Sequence, residues 1–81
     1  MARFLALVNI FVGSTIITQV MDTLAQFPNV EEIYEVTGES DIVTLISTAN
    51  VDEFQNFLEN KIFKIQGIRG LCYKELQEIG G

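Results

Sequence analysis

Four residues in the middle of the chain combine the side chains and the backbone freedom that small-ligand binding requires. They are Gly38, Glu39, Ser40 and Asp41, and they lie between two apolar stretches. A glycine adopts positive φ and exposes backbone N–H groups that can hold a carboxylate. The Asp41 carboxylate can accept hydrogen bonds from an ammonium group. An aspartate in a turn also binds local backbone N–H groups, so a purely structural role for Asp41 stays open.

The other reactive side chains favour structural roles. Cys72 is the sole cysteine, and a chain without histidine offers it no activating base, so we expect a buried strand cysteine. Acidic residues around the polar segment have the chemistry to hold calcium or magnesium, but a solvated, aggregation-resistant strand edge explains them more simply. These residues are Glu31, Glu32, Glu35, Glu39 and Asp41. We predict no catalytic residue, no metal site and no cofactor.

The composition excludes several classes of protein. The 81 residues form one domain, residues 1–81, with a net charge of −6 from 11 acidic and 5 basic residues. The basic residues are scattered, so we predict no direct contact with nucleic acid. The apolar start of the chain is too short to span a bilayer, which takes about 20 residues, so we expect a buried strand and no membrane partner. The unpaired thiol favours a cytoplasmic location.

The hydrophobic periodicity predicts six elements in the order β-α-β-β-α-β. Strands are predicted at 4–12, 30–37, 41–48 and 68–77, and helices at 15–27 and between 50 and 67. Ser14 and Asn50 are the expected N-caps, and Glu53 completes a capping box after Asn50. This order is typical of the α+β ferredoxin-like fold, a four-stranded antiparallel sheet with two helices on one face.

The first strand predicts a partner subunit. It is apolar in both directions, which is typical of a central strand covered on two sides. Two helices cover only one face of the sheet, so the other face needs a lid, and a second copy of the chain is the simplest one. The 48% content of hydrophobic residues is also more than a core of this size hides. We expect a two-fold dimer.

Four segments resemble one known family. Residues 36–43, VTGESDIV, resemble the V-T-G-x-x-D-x-V segment of the Lrp/AsnC effector domain. In order and at the right spacing, LVNI at 7–10, FPNVEE at 27–32 and KIFKIQGI at 61–68 resemble further segments of that domain. The helix-turn-helix that normally precedes this domain in the family is absent from the sequence. The chain therefore resembles the stand-alone effector modules of the Lrp/AsnC family.

The resemblance implies dimers that assemble into octamers or decamers, with amino-acid effectors bound where dimers meet. It places residues 38–41 in the effector pocket. Amino-acid-binding members often carry threonine or serine at two positions of the last strand. Aligned from Gly67, these positions are Leu71 and Tyr73 here, so the two residues are the expected pocket wall and no particular amino acid is assigned.

The leading hypothesis is a non-catalytic module that senses an amino acid and acts by assembly, including mixed assembly with full-length Lrp/AsnC regulators. Two alternatives stay open. A metabolic regulatory domain of the ACT type has the same order of elements and binds amino acids at interfaces. A small dimeric ferredoxin-like enzyme would need a general base, commonly histidine, and here only Asp41 or Glu39 would be available.

Overall fold

The fold is the predicted α+β ferredoxin-like arrangement. The computed structural model describes residues 3–13, 16–37 and 41–76. The elements are β1 (Phe4–Val12), α1 (Ile17–Leu24), β2 (Val30–Glu35), β3 (Ile42–Thr48), α2 (Val51–Phe57) with a π-helical continuation (Leu58–Ile62), and β4 (Ile68–Leu76). The strands form one antiparallel sheet in the order β2-β3-β1-β4. As predicted, β1 is an inner strand and β2 lies at an edge.

The core lies between one face of the sheet and both helices. Residues of β1 alternate between the two faces, and the buried set is the even-numbered one. Val8 and Ile10 have no exposed surface, and they belong to the same apolar cluster as Leu24 of α1 and Phe54 of α2. The two helices therefore cover the same side of the sheet. No helix in the described ranges is long and apolar enough to cross a bilayer.

Helix α1 is shorter than predicted. Its expected N-cap, Ser14, lies outside the described residues. At its other end, Gln26 donates to the Thr23 carbonyl and Phe27 to the Leu24 carbonyl, each at 3.1 Å. These bonds to the third preceding residue tighten the last turn, because Pro28 disfavours the helical conformation in the residue before it.

The start of α2 confirms the predicted N-cap. The Asn50 side chain accepts a hydrogen bond of 2.8 Å from the Glu53 N–H. The Glu53 carboxylate accepts in turn from the N–H of Ala49, at 3.2 Å, one residue before the partner of a standard capping box. Both bonds satisfy N–H groups at the helix start.

A π-helical turn then changes which residues face the core. Phe63 donates to the Leu58 carbonyl at 2.8 Å, a bond spanning five residues. In a continuous α-helix Lys61 would share the face of Phe57, four residues earlier. The wider turn instead places Ile62 in the core, with no exposed surface, and leaves Lys61 exposed. The hydrophobic pattern did not predict this turn.

The pairing of β2 with β3 contains a bulge between Val30 and Glu32. Thr44, which has no exposed surface, donates its hydroxyl to the Glu32 carbonyl at 2.7 Å. The hydroxyl satisfies a carbonyl of the bulged strand. At their facing ends the two strands stop at Glu35 and start at Ile42, so the connecting turn is longer than predicted.

Candidate functional site

Asp41 fastens the β2–β3 turn to the end of β1. Its N–H donates to the Ile10 carbonyl at 3.1 Å, and its own carbonyl accepts from the Val36 N–H at 3.0 Å. Its carboxylate oxygen Oδ2 accepts from the N–H of Val12 at 2.8 Å. Backbone and side chain of one residue thus join the ends of β1 and β2 to the start of β3.

The three preceding candidate residues, Gly38, Glu39 and Ser40, lie outside the described residues. The bond between Val36 and Asp41 closes the base of the turn that contains them. The Asp41 side chain therefore has a structural role, but its partner Val12 lies 29 positions away in sequence, whereas the expected partner was a backbone N–H within the turn. No local sequence signal identified Val12 as that partner.

The Asp41 carboxylate keeps capacity for a ligand. Asp41 is partly buried, and an ionised carboxylate has two oxygens with about four acceptor positions, of which the Val12 N–H uses one. A structural role and acceptance of a hydrogen bond from a ligand ammonium group are compatible in this geometry. The Val12 N–H thereby fixes the carboxylate at the end of β1.

Leu71 and Tyr73, the expected pocket wall, lie on the helix-covered side of the sheet. They pair with Ile10 and Val8, whose side chains are buried under the helices. Leu71 is partly buried against the core. The Tyr73 ring meets Phe54 edge-on, with ring centroids 4.8 Å apart, and its hydroxyl accepts from the Gln55 amide at 2.9 Å. Tyr73 therefore packs against α2 and remains 42% exposed.

A single chain does not bring Tyr73 next to Asp41. Asp41 bonds to the end of β1 at Ile10 and Val12, whereas Tyr73 pairs with Val8 on the opposite side of that strand. Tyr73 lies on β4 and Asp41 directly precedes β3, so β1 separates them by about 10 Å across the sheet at about 4.8 Å per strand, and they are further displaced along it. Within one chain the two residues are therefore not in direct contact.

The sheet face away from the helices is apolar at its centre. We call it the open face and define its centre by the partly exposed side chains of Leu5, Leu7, Phe11, Val43 and Leu45. Asn9 lies among them and donates from Nδ2 to the sulfur of Cys72 at 4.0 Å. Cys72 is exposed, so the prediction of a buried cysteine was wrong. It lies on edge strand β4, on the face that neither α1 nor α2 covers.

The β2 edge of the open face carries a polar pair. Tyr34, 55% exposed, donates its hydroxyl to the Glu32 carboxylate. This hydrogen bond and the negative charge of Glu32 raise the pKa of Tyr34 above its ordinary value of 10.0. Next to it, Glu31 forms an ion pair of 2.9 Å with Arg3. Within residues 3–13, 16–37 and 41–76, no three acidic or cysteine side chains converge as a metal site would require.

The structure is a four-stranded antiparallel sheet with both helices on one face and with Asp41 bonded to the end of β1. The Lrp/AsnC ligand binding domain matches residues 5–71 of this chain. The chain therefore belongs to the Lrp/AsnC ligand-binding domain family.

Two curated relatives from archaea carry the same name. The HTH-type transcriptional regulator FL11 of Pyrococcus furiosus is 36% identical over 68 residues, which cover 84% of this chain and 44% of the relative. FL11 of Pyrococcus horikoshii is 42% identical over 53 residues, which cover 65% of this chain and 34% of the relative. The chain thus spans less than half the length of these regulators.

Solved structures show the same fold at lower identity. AsnC of Escherichia coli superposes with a TM-score of 0.87 at 22% identity, covering 93% of this chain and 51% of that one. The transcriptional regulator NMB0573 of Neisseria meningitidis was solved in complex with L-Met. It superposes with a TM-score of 0.86 at 12% identity, covering 96% of this chain and 52% of that one. In both regulators the shared fold makes up about half of the chain.

Proposed function

We propose that this domain is a non-catalytic sensor of an amino acid, which acts by changing how copies of the domain assemble. The observation that carries the proposal is the polar turn of an Lrp/AsnC ligand-binding domain, held against β1 by the bond between Asp41 and Val12. The curated relatives are named transcriptional regulators, which favours a regulatory role over catalysis. The chain also has no histidine to serve as a general base.

Dimerisation through the open face is the first step of the proposed assembly. Apolar side chains of the two inner strands are partly exposed there, and two such faces would bury each other as in a β-sandwich. A two-fold pair of identical faces is self-complementary by symmetry. Further contacts between dimers would then build an octamer or a decamer.

The proposed ligand site is the turn of residues 38–41. Backbone N–H groups near Gly38 would hold the carboxylate of the amino acid, and Asp41 would accept a hydrogen bond from its ammonium group. The NMB0573 structure in complex with L-Met supports an amino acid as the ligand class. Leu71 and Tyr73 remain proposed wall residues, and they would come from a different protomer than the Asp41 they face.

Mixed assembly with longer family members is the proposed route to DNA. E. coli AsnC contains this fold in about half of its chain, so a longer regulator can offer a sheet face of the same architecture. The chain itself has 11 acidic and 5 basic residues, which disfavours direct contact with phosphates. The proposed location of this activity is the cytoplasm, where such regulators meet both DNA and free amino acids.

Analytical ultracentrifugation of the purified chain, with and without each common amino acid, tests this function. We expect a dimer or a larger ring whose mass distribution shifts with one amino acid, because a ligand at the contacts between dimers favours the state that binds it best. L-Met is the first ligand to add. A chain that stays monomeric at micromolar concentration would overturn the assembly proposal. A stable oligomer that no amino acid binds to or shifts would overturn amino-acid sensing.

A further inference from the structure

A second candidate site lies on the opposite side of the molecule from the open face. We call it the inter-helix cleft: a space of about 500 Å³ between α1 and the segment from Asn60 to Gln66. Small-molecule sites range over about 300–1,000 Å³, so the cleft has the size of a metabolite site. Its apolar lining comes from Val20, Phe27 and Ile65. The cleft shares no residue with the β2–β3 turn.

The charge of the cleft is opposite to that of the chain. Lys61 and Lys64, two of the five basic residues, line it, and none of its described lining residues is acidic. Within the described residues, neither ammonium group forms an ion pair or a hydrogen bond. Two unpaired ammonium groups on one wall make a local positive potential in a chain of net charge −6.

The π-helical turn places one of these lysines at the cleft. A continuous α-helix would direct Lys61 toward the core below Phe57, and the extra residue of the π turn rotates it outward. Such turns occur often at functional sites. Among the neighbouring polar groups, the Thr23 hydroxyl already has a partner, since it donates to the Gln19 carbonyl at 3.0 Å. The two lysines are the charged donors among the described lining residues, beside the neutral amides of Gln19, Asn60 and Gln66.

We propose that the inter-helix cleft binds a small anion with two negative charges, the two ammonium groups of Lys61 and Lys64 being its counter-charges. Lysine is a compact point charge with three donors, suited to a carboxylate or a phosphate without demanding bidentate geometry. The apolar residues beneath it would contact the carbon skeleton of an organic ligand. This site is separate from the proposed amino-acid site, so the protein would respond to two different metabolites.

Backbone amide NMR of the full chain, titrated with succinate and separately with inorganic phosphate, tests this proposal at constant ionic strength. We expect saturable shifts at the amides of Lys61, Lys64 and Thr23. A larger response to succinate would indicate a dicarboxylate, and a larger response to phosphate would indicate a phosphorylated ligand. The Lys61→Gln/Lys64→Gln double variant should bind about tenfold more weakly or worse, since hydrogen bonds to charged groups dominate the attraction.

The matched control is Lys74→Gln, which removes a lysine of β4 that does not line the cleft. It should bind each anion as the unchanged chain does. Both substituted lysines of the double variant are exposed, so its denaturation midpoint should stay unchanged and separate loss of binding from loss of folding. Absence of saturable shifts with both anions, or shifts that persist in the double variant, would overturn the proposal.

Discussion

Asp41 combines a structural bond and the proposed ligand contact in a single carboxylate. The Val12 N–H occupies one acceptor position of Oδ2 and fixes the side chain at the end of β1. An asparagine at this position keeps an oxygen acceptor for that N–H but loses the negative charge, whereas an alanine loses both. Substitution can therefore separate the structural role from the ligand role.

We expect Asp41→Asn to fold with nearly unchanged stability and to lose the mass shift caused by the amino acid. Asp41→Ala should also unfold more easily, by about 1–2 kcal/mol, because the partly buried Val12 N–H loses its partner. Chemical denaturation measures the free energy of unfolding, and sedimentation measures the mass shift caused by the amino acid. Glu75→Gln, which removes an exposed carboxylate of β4, is the control. An Asp41→Asn variant that keeps the full ligand response would restrict Asp41 to its structural role.

Tyr34 offers a spectroscopic report on the edge of the open face. Its neutral hydroxyl donates to the Glu32 carboxylate, and the charge of that carboxylate disfavours the phenolate, so its pKa lies above 10.0. The hydrogen bond is present at neutral pH and is lost as the pH rises through this raised pKa, because the phenolate has no proton to donate. Absorbance titration should show the pKa of Tyr34 fall in Glu32→Gln, with Tyr73→Phe used to assign the signal. An unchanged Tyr34 titration in Glu32→Gln would contradict this pairing.

At the scale of the elements, the connection from the π turn to β4 depends on one glycine. Gly67 has a φ of 100°, a conformation that residues with a Cβ rarely adopt. A Cβ built there would lie 1.8 Å from Cδ1 of Ile16, so the isoleucine would have to change its rotamer. The same glycine therefore allows both the reversal of the chain and its close approach to the start of α1.

We expect Gly67→Ala to lower the free energy of unfolding by about 1–3 kcal/mol, the sum of the left-handed backbone conformation and the displacement of Ile16. Gly13→Ala is the matched control, since its φ is not positive and its added Cβ would have its nearest contact at 4.0 Å. Urea denaturation of both variants measures the difference. Equal stability of the two variants would show that the backbone at Gly67 relaxes without cost.

At the scale of the whole molecule, helices cover one face of the sheet, and no segment within residues 3–13, 16–37 and 41–76 covers the other. Leu7 and Leu45 pair across β1 and β3 at the centre of the open face, and both are partly exposed. The inter-helix cleft lies on the other side. The proposed dimer would therefore cover the open face and leave the cleft accessible to a ligand.

We expect Leu45→Lys to weaken the dimer by about a hundredfold or more, because the interface would bury an unpaired ammonium group. In the monomer the lysine would reach water, so the fold should persist, as circular dichroism would verify. Val51→Lys places the same change at an apolar residue of α2 that is 47% exposed and away from the open face. Sedimentation velocity should show monomers for the first variant only. Dimers of Leu45→Lys would exclude the open face as the interface.

Several features of this protein were predictable from short stretches of sequence. The continuous apolar run of β1 predicted its bounds, Asn50 predicted the start of α2, and the VTGESDIV segment predicted the family. Each of these signals depends on residues close in sequence. The order of the elements then predicted the ferredoxin-like sheet, because few topologies suit it.

Other features depended on contacts between distant segments. The sequence of β1 is apolar on both sides, so only the helices decide that Val8 faces the core and Leu7 the open face. The residue types of Lys61 and Ile62 agree with their exposure and burial, but the π turn that produces this arrangement has no signal in the sequence spacing. Asp41 meets Val12 only because β3 and β1 pair in one register. Local patterns determine which elements form, whereas register and face follow from nonlocal pairing, which only the tertiary structure decides.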